Sequence, residues 1–444
     1  MTATATKSFK EFFSLASVER LSASFGDTPW LKERRLRGWK AFEQGLAEKD
    51  RKTGTRWLKG AAQWPEQPME PGPKLAIPEA LKPRLDGEWG PLAGAMSFGC
   101  EGTEPVLLDE EARKAGVLFL PLGEALRLRP DLIEKHLFSR TAVDETLYAA
   151  LHAAYFGQGA LVYIPRNVKL EKPLRLRGAH TGGHAGFFPH TLVIAEAGSE
   201  ATVVDEAHSA GEAPGLLAGV AELILQPNAR LNYINFQALN HASGAALRQS
   251  TVLADDARLY TLGVVAGGAW STSFLGTRIE GGGGSVDLLG LALASGGQQV
   301  EIRTLQDHVG RSGNSDALVK SILRGSSRFY FDGVVKIFKS GQNTNAFQSN
   351  PNLLLSSDAR AESIPTLEIE ADDVACKHAA SIGGIDEDEK FYLLSRGIPI
   401  RETETMITEG FAAELAQRLP DERLQERFVA ILNRLASQAS ASLA

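Results

Sequence analysis

The sequence predicts a mainly β protein: a β-solenoid core with α-helical segments before and after it. Two observations carry this reading. From Ala160 onward, short aliphatic or β-branched stretches such as ALVYIP, HTLVIAEA, AELILQ, LNYINFQAL, LGVVAGG, FYFDGVVKIF and TLEIEA are separated by Gly, Asn, Asp and Ser. The turns between them recur. Ala197, Pro227, Asp255 and Gly281 stand roughly 30, 28 and 26 residues apart, and the triplet Ala229-Arg230-Leu231 returns as Ala257-Arg258-Leu259. Repeats of this length built from strand and turn bury their apolar faces by stacking coil on coil. The beat lapses between Gly281 and Arg324, a gap of about 43 residues. Pattern alone therefore leaves a β-sandwich open.

Taken in order, residues 1–60 read as an N-terminal helical region, with 7–46 helical in period. Asp27-Thr28-Pro29 serves as a cap with proline in the first turn, and Leu31, Leu36, Trp39 and Phe42 form the apolar side. Residues 61–100 read as a linker or irregular wrap, because seven of the 20 prolines fall between Pro65 and Pro91 and proline removes backbone donors. Residues 101–159 read as an α/β region: a short buried strand and a helix over 116–138, then a helix over 145–159 that closes at glycine. The solenoid is assigned to 160–385. The helix period resumes over 386–444, where Leu424, Phe428, Ile431 and Leu435 form a stripe suited to packing on the solenoid end or to a partner. The first few residues and the tail after Ala436 have the composition of disordered segments.

At 444 residues the chain has room for roughly two to four units. A net charge of −7 argues against nucleic acid, which needs a basic face. The basic run Lys32, Arg34, Arg35, Arg37 and Lys40 reads as the solvated side of a helix. The start MTATATKSFKEFF lacks the apolar core of a secretory signal, and no stretch approaches the about 18 apolar residues of a membrane span. Two cysteines give no disulfide framework. Together these predict a cytoplasmic protein with neither nucleic acid nor membrane as partner.

The common enzyme signatures are missing: there is no G-x-x-x-x-G-K-S/T phosphate loop, H-E-x-x-H, G-x-S-x-G or C-x-x-C. Gly281 to Gly284 precede a strand rather than a helix, so they read as a tight coil turn and not as an anion cradle. Asp255, Asp256 and Glu280 fall at turns, where carboxylates are solvated. His180, His184 and His190 lie in HTGGHAGFFPH, whose spacings across glycines suit a solvated loop better than a metal site.

The segment after Pro365 differs in kind. Leu367, Ile369 and Ala371 alternate with Glu368, Glu370 and Asp372, and if that strand runs on, Cys376 and His378 share one face. A thiolate and an imidazole so placed can both reach one soft metal such as iron, zinc or copper(I). A small buried thiol beside a hydrogen-bonded core histidine would give the same pair in sequence.

Four segments resemble the SufD family: GVLFLPLGEAL; GQGALVYIPRNVKLEKPLRLRG over 157–178; DGVVKIFKSGQNTNAFQSNPNLLLSSDARAESIPTLEIEADDVACKHAASIGG over 332–384; and DEDEKFYLLSRGI. From the first to the last, 116–398, they span about two thirds of the chain, in the family's order. The resemblance implies a right-handed parallel β-helix flanked by N-terminal and C-terminal helical domains. It implies a non-catalytic scaffold subunit of the SUF system, paired with a SufB-type homologous scaffold and a SufC-type ABC ATPase docked on about 386–444, with sulfur-donor proteins reaching it through the complex. The cargo is an iron-sulfur cluster, held transiently at the interface with SufB and not stably by this chain alone. Cys376 and His378 match the family's cysteine and histidine and are the implied cluster ligands. The usual H-G-A-T is here His378-Ala379-Ala380-Ser381, a common arginine is His190, and Cys100 lies ahead of the solenoid, which favours SufD over SufB. A structural adaptor without cluster chemistry and a carbohydrate-active β-helix enzyme are the alternatives.

Overall fold

The computed structural model describes residues 12–47, 74–86, 89–182, 186–422 and 424–430, with the isolated positions 7, 8, 58, 61, 64, 68, 69 and 432. His184, Ile431, Leu435, the extreme N-terminus and the tail after Ala436 lie outside the described residues, as does much of the proline-rich stretch.

The solenoid strands fall alternately into two sheets. One sheet takes β1 (Gly159–Ile164), β3 (His190–Ala195), β5 (Leu216–Leu225), β7 (Gly244–Leu253), β9 (Trp270–Ile279), β11 (Gln299–His308), β13 (Arg328–Ile337) and β15 (Arg360–Ile369). The other takes β2 (Leu174–His180), β4 (Glu200–Ser209), β6 (Arg230–Ala238), β8 (Arg258–Val265), β10 (Ser285–Ala294), β12 (Asn314–Leu323), β14 (Thr344–Leu354) and β16 (Val374–Gly384). Each strand pairs in parallel with the strand two places along the chain, which makes a β-solenoid of about eight turns and excludes the sandwich. Shorter strands close the first coil: Gly94–Gly99 parallel to β2, and Leu118–Pro121 antiparallel to β1.

The repeat is set by one corner. Asn167, Gly198, Asn228, Asp256, Gly283, Ser312 and Asn343 all have positive φ, a conformation that Gly, Asn and Asp tolerate best. Each donates its backbone N–H to a carbonyl at the same corner of the next coil, at 2.7–3.0 Å. The repeated triplet stacks in register, Arg230 on Arg258 and Leu231 on Leu259. The beat does not lapse after Gly281, contrary to expectation. Its next corner is Arg311-Ser312-Gly313, where an ordinary serine takes the left-handed position, and Gly325 belongs to a different corner with Gly296. Between the sheets lie Leu176, Val203, Leu223, Leu231, Leu253, Leu259 and Leu288, all nearly solvent-free; each contributes roughly 1.5–3 kcal/mol on burial.

Helices α1 (Leu15–Phe25) and α2 (Pro29–Ala47) replace the single span expected over 7–46, because Gly26 turns left-handed and ends the first. Lys7 and Ser8 instead pair as a strand with Pro68 and Met69. The helix expected over 116–138 is likewise two, α3 (Leu122–Leu128) and α4 (Pro130–His136), divided at Arg129-Pro130. α5 (Leu147–Tyr155) packs between α2 and the outer face of the first sheet.

The basic run is not wholly a solvated face. Arg35 is fully buried, with Nε 2.6 Å from Asp27 and its guanidinium donating to the carbonyls of Phe156 at 2.5 Å and Ala154 at 3.3 Å. Its sequence neighbours hid it, since a helix turns one residue of any basic run inward. Asp27 is accordingly the counter-ion of Arg35, and the Thr28 carbonyl accepts the first helical bonds.

After the solenoid come α6 (Glu387–Ser395) and α7 (Ile400–Gln417). α7 and residues 424–430 do not cap the solenoid end; they lie on the outer face of the second sheet. Leu415, Leu419, Leu424 and Phe428 bury against Ile234, Phe236, Leu262 and Leu289. Arg418 pairs with Asp316 at 2.8 Å, and Lys320 donates to the Phe411 carbonyl at 2.7 Å. No described helix is long and apolar enough to cross a membrane.

Candidate functional site

β15 and β16 are the last strands of their sheets, so among the described residues that end of the solenoid is open. The strand carrying Leu367 and Ile369 does not continue to Cys376, contrary to the alternation read from sequence. The chain turns at 370–373, where Asn343 donates to the Asp373 carbonyl at 2.7 Å, and β16 then enters the opposite sheet. Cys376 and His378 nevertheless share a face, because both stand on β16 two residues apart.

Register fixes which face. In the β14–β16 pair, Ala346 lies beside Cys376 and Gln348 beside His378. Ala346 and Gln348 are buried within the solenoid, so Cys376 and His378 point to the same interior side, one strand nearer the open end. Cys376 is half-buried against Val335, Ile337, Ala346 and Ala371, and burial pushes its thiol above the ordinary value. His378 is exposed at the mouth. Glu370 and Asp372, expected on the same face, stand in the corner instead.

Beneath this mouth the interior is polar. Thr304, Gln306, His308, Ser315, Ser321, Gln348, Asn350 and Asn352 are all buried at inward positions. Asn352 donates to the Ser381 carbonyl at 3.1 Å, tying β16 to β14, and Asn350 donates to Val319 at 2.7 Å. Burial pushes the His308 imidazole down to about 4, so it is neutral near pH 7. Sequence reading passed over this set. Its signal was present in TNAFQSNPN, where Thr344, Gln348, Asn350 and Asn352 occupy alternate positions that should be apolar in a solenoid interior.

The histidine-rich segment behaves differently from a solvated loop. His180 and His190 are buried in β2 and β3. His190 Nδ1 lies 3.1 Å from His152 Nε2, and its Nε2 3.1 Å from the Glu222 carboxylate. Glu222 also accepts from the backbone N–H groups of Phe138 and, at 2.7 Å, Arg140. The cluster clamps residues 138–140 to the sheet. Among the described residues, no group of three or more His, Cys, Asp or Glu is arranged to hold a metal. Gly281–Gly284 form a coil corner, and Asp255, Asp256 and Glu280 are exposed at turns. Cys100 follows the Gly94–Gly99 strand at the opposite end of the solenoid from Cys376.

Two family models match the chain: the SufBD core domain of SUF-system iron-sulfur cluster assembly over residues 177–411, and the SufBD N-terminal region over 106–176. A Bacillus subtilis (strain 168) protein named iron-sulfur cluster assembly protein SufD is 31% identical over 74% of this chain and 76% of its own length. The protein of the same name from Escherichia coli (strain K12) is 32% identical over 61% of this chain and 64% of its own length. The Synechocystis SufBD family protein slr0074 is 26% identical over 80% of this chain and 75% of its own. A solenoid of this register, ending in an open mouth that carries a cysteine and a histidine, is thus matched over most of its length by one set of relatives, and the chain belongs to the SufBD family of iron-sulfur cluster assembly proteins.

Proposed function

We propose that this chain is a non-catalytic scaffold subunit for iron-sulfur cluster assembly, and that Cys376 and His378 are its contribution to a site completed by a homologous, SufB-type partner. The observation that carries this reading is the position of the two residues on the last strand of an open solenoid. A cluster needs about four protein ligands, and the mouth offers two. The remaining ligands then come from whatever covers it.

Two features support a partner there. Among the described residues the outer edges of β15 and β16 are unpaired, and unpaired edges accept further strands. Phe347, Ile369 and Ile382 expose apolar surface around them. A second surface suits a SufC-type ATPase: α6 buries none of its residues and exposes Phe391, Tyr392 and Leu394, and Ile400 continues the patch. Sulfur-donor proteins would act on the assembled complex. The cytoplasm is the compartment in which such a complex would work.

Anaerobic reconstitution with iron and sulfide tests the shared site. The isolated chain is expected to retain no cluster chromophore after desalting, while its complex with the homologous scaffold retains one. A stable cluster on the isolated chain would refute the shared-ligand reading.

A further inference from the structure

The polar floor under His378 contains acceptors that nothing in the fold satisfies. Gln348 is 3% exposed, and its Oε1 has no hydrogen-bond partner. A buried amide oxygen left unpaired costs about 1–3 kcal/mol, so such an atom calls for a donor. The protein has made room for this side chain. Its amide lies flat over Gly333 of the opposing strand β13, where any Cβ would stand 2.4–2.6 Å from the amide atoms. Its Nε2 approaches the Gly333 carbonyl at 3.4 Å. A glycine directly beneath a glutamine amide is what a seat for that amide requires.

The neighbour across the β14–β16 ladder is His378. Register partners in a parallel sheet stand about 4.8 Å apart with side chains on the same side. One therefore carries an unpaired acceptor, and the other a ring whose N–H is a donor. A metal-binding histidine normally donates its second ring N–H to such an acceptor, and that bond decides which nitrogen is free to coordinate. Cys376 stands over Ala346, which carries no polar atom in its side chain, so the arrangement serves the histidine alone.

We propose that Gln348 is a positioning residue for His378: when the imidazole turns inward from its exposed position, Oε1 accepts from one ring N–H and leaves the other ring nitrogen turned to the open mouth. This rests on the reading of His378 as a cluster ligand and extends it to the residue that orients the ring. Gln348 touches no cargo. Gly333 is the second part of the device, because a side chain there would displace the amide from beneath the ring.

The test is the tautomer of His378, read in long-range proton–nitrogen correlation spectra of the histidine-labelled full-length chain at a pH where imidazole is neutral, with the signal assigned by its loss in His378→Ala. Gln348→Leu removes the acceptor at similar size; Gln348→Asn withdraws it by one methylene and covers the case in which the leucine variant fails to fold. Both are expected to shift the wild-type ratio toward that of free imidazole, and Gln348→Glu, which keeps an acceptor, should restore it. Delivery of clusters in cells should fall about tenfold in the leucine variant, with the melting temperature and recovery of the complex unchanged. Identical tautomer ratios in wild type, Gln348→Leu and Gln348→Asn would overturn the proposal. Undiminished delivery by His378→Ala would instead sink the ligand reading beneath it, so the two failures are distinguishable.

Discussion

Asp205 and Glu206 are adjacent in β4 and face opposite sides of one sheet, and their carboxyl groups are displaced in opposite directions. Asp205 points into the solenoid, where its Oδ2 accepts from Tyr233 at 2.6 Å and, across the interior, from Thr191 at 2.8 Å. Burial pushes it up to about 6 despite those bonds. Glu206 points outward beneath Trp89. Burial alone would raise it, but His208, Arg175 and the Trp89 indole N–H outweigh that and hold it down at about 2. The two groups therefore oppose each other in pH dependence. Glu206 is depressed, so its contribution is present above about 4.5 and lost as pH falls toward 2, about 3 kcal/mol in all. Asp205 is raised, so its contribution is present below about 3.8 and lost as pH rises through 6. Urea unfolding across pH is expected to show Asp205→Asn more stable than wild type at pH 7, by up to about 3 kcal/mol, with no gain at pH 3. Glu206→Gln should flatten the acid limb.

Removing Arg35 should be far costlier than removing Arg37, although the two are sequence neighbours in one basic run. Arg35→Met leaves Asp27 buried and unpaired and is expected to cost about 3–5 kcal/mol. Arg37 and Asp144 are both more than half exposed, so Arg37→Met should fall within about 0.5 kcal/mol of wild type. Denaturant midpoints at constant m-value measure both. Equal losses would contradict the buried assignment of Arg35.

The proposed docking of an ATPase on α6 predicts a clean surface phenotype. Phe391 is 72% exposed and Tyr392 is 55% exposed, so Phe391→Glu and Tyr392→Glu cost the fold little. Together they should abolish co-purification of the ATPase while leaving the homologous scaffold bound. Deleting 386–444 is a poorer test, because it strips Leu415, Leu419 and Phe428 from the outer sheet face. Retention of the ATPase by the double variant would place its docking surface elsewhere.

What was legible in the sequence follows from how local its cause is. The coil corners announce themselves where Gly, Asn or Asp supply the left-handed residue, as at Asn228 and Asp256, and fall silent where Ser312 takes the same conformation. The shared face of Cys376 and His378 came through because a two-residue spacing suffices once both stand on a strand. The corner at 370–373 did not, since Glu370 and Asp372 continue the alternation through a turn. Arg35, His190 and Gln348 were misread or passed over for one reason: their burial depends on strands and helices far away in the chain. Arg35 meets Phe156, His190 meets Glu222, and Gln348 lies over Gly333. No local period reports those meetings.

On the proposed reading, the open mouth of the solenoid contributes ligands to a shared cluster. In-cell cluster maturation by His378→Ala tests it most directly, with complex recovery and melting temperature measured on the same variant. His378 is exposed, so folding and complex formation should be unchanged while maturation drops sharply. Cys376→Ser should lose as much or less, because serine keeps the size and forfeits the soft ligand. Full maturation by the His378→Ala variant, or loss of the complex and of thermal stability in its place, would contradict the account.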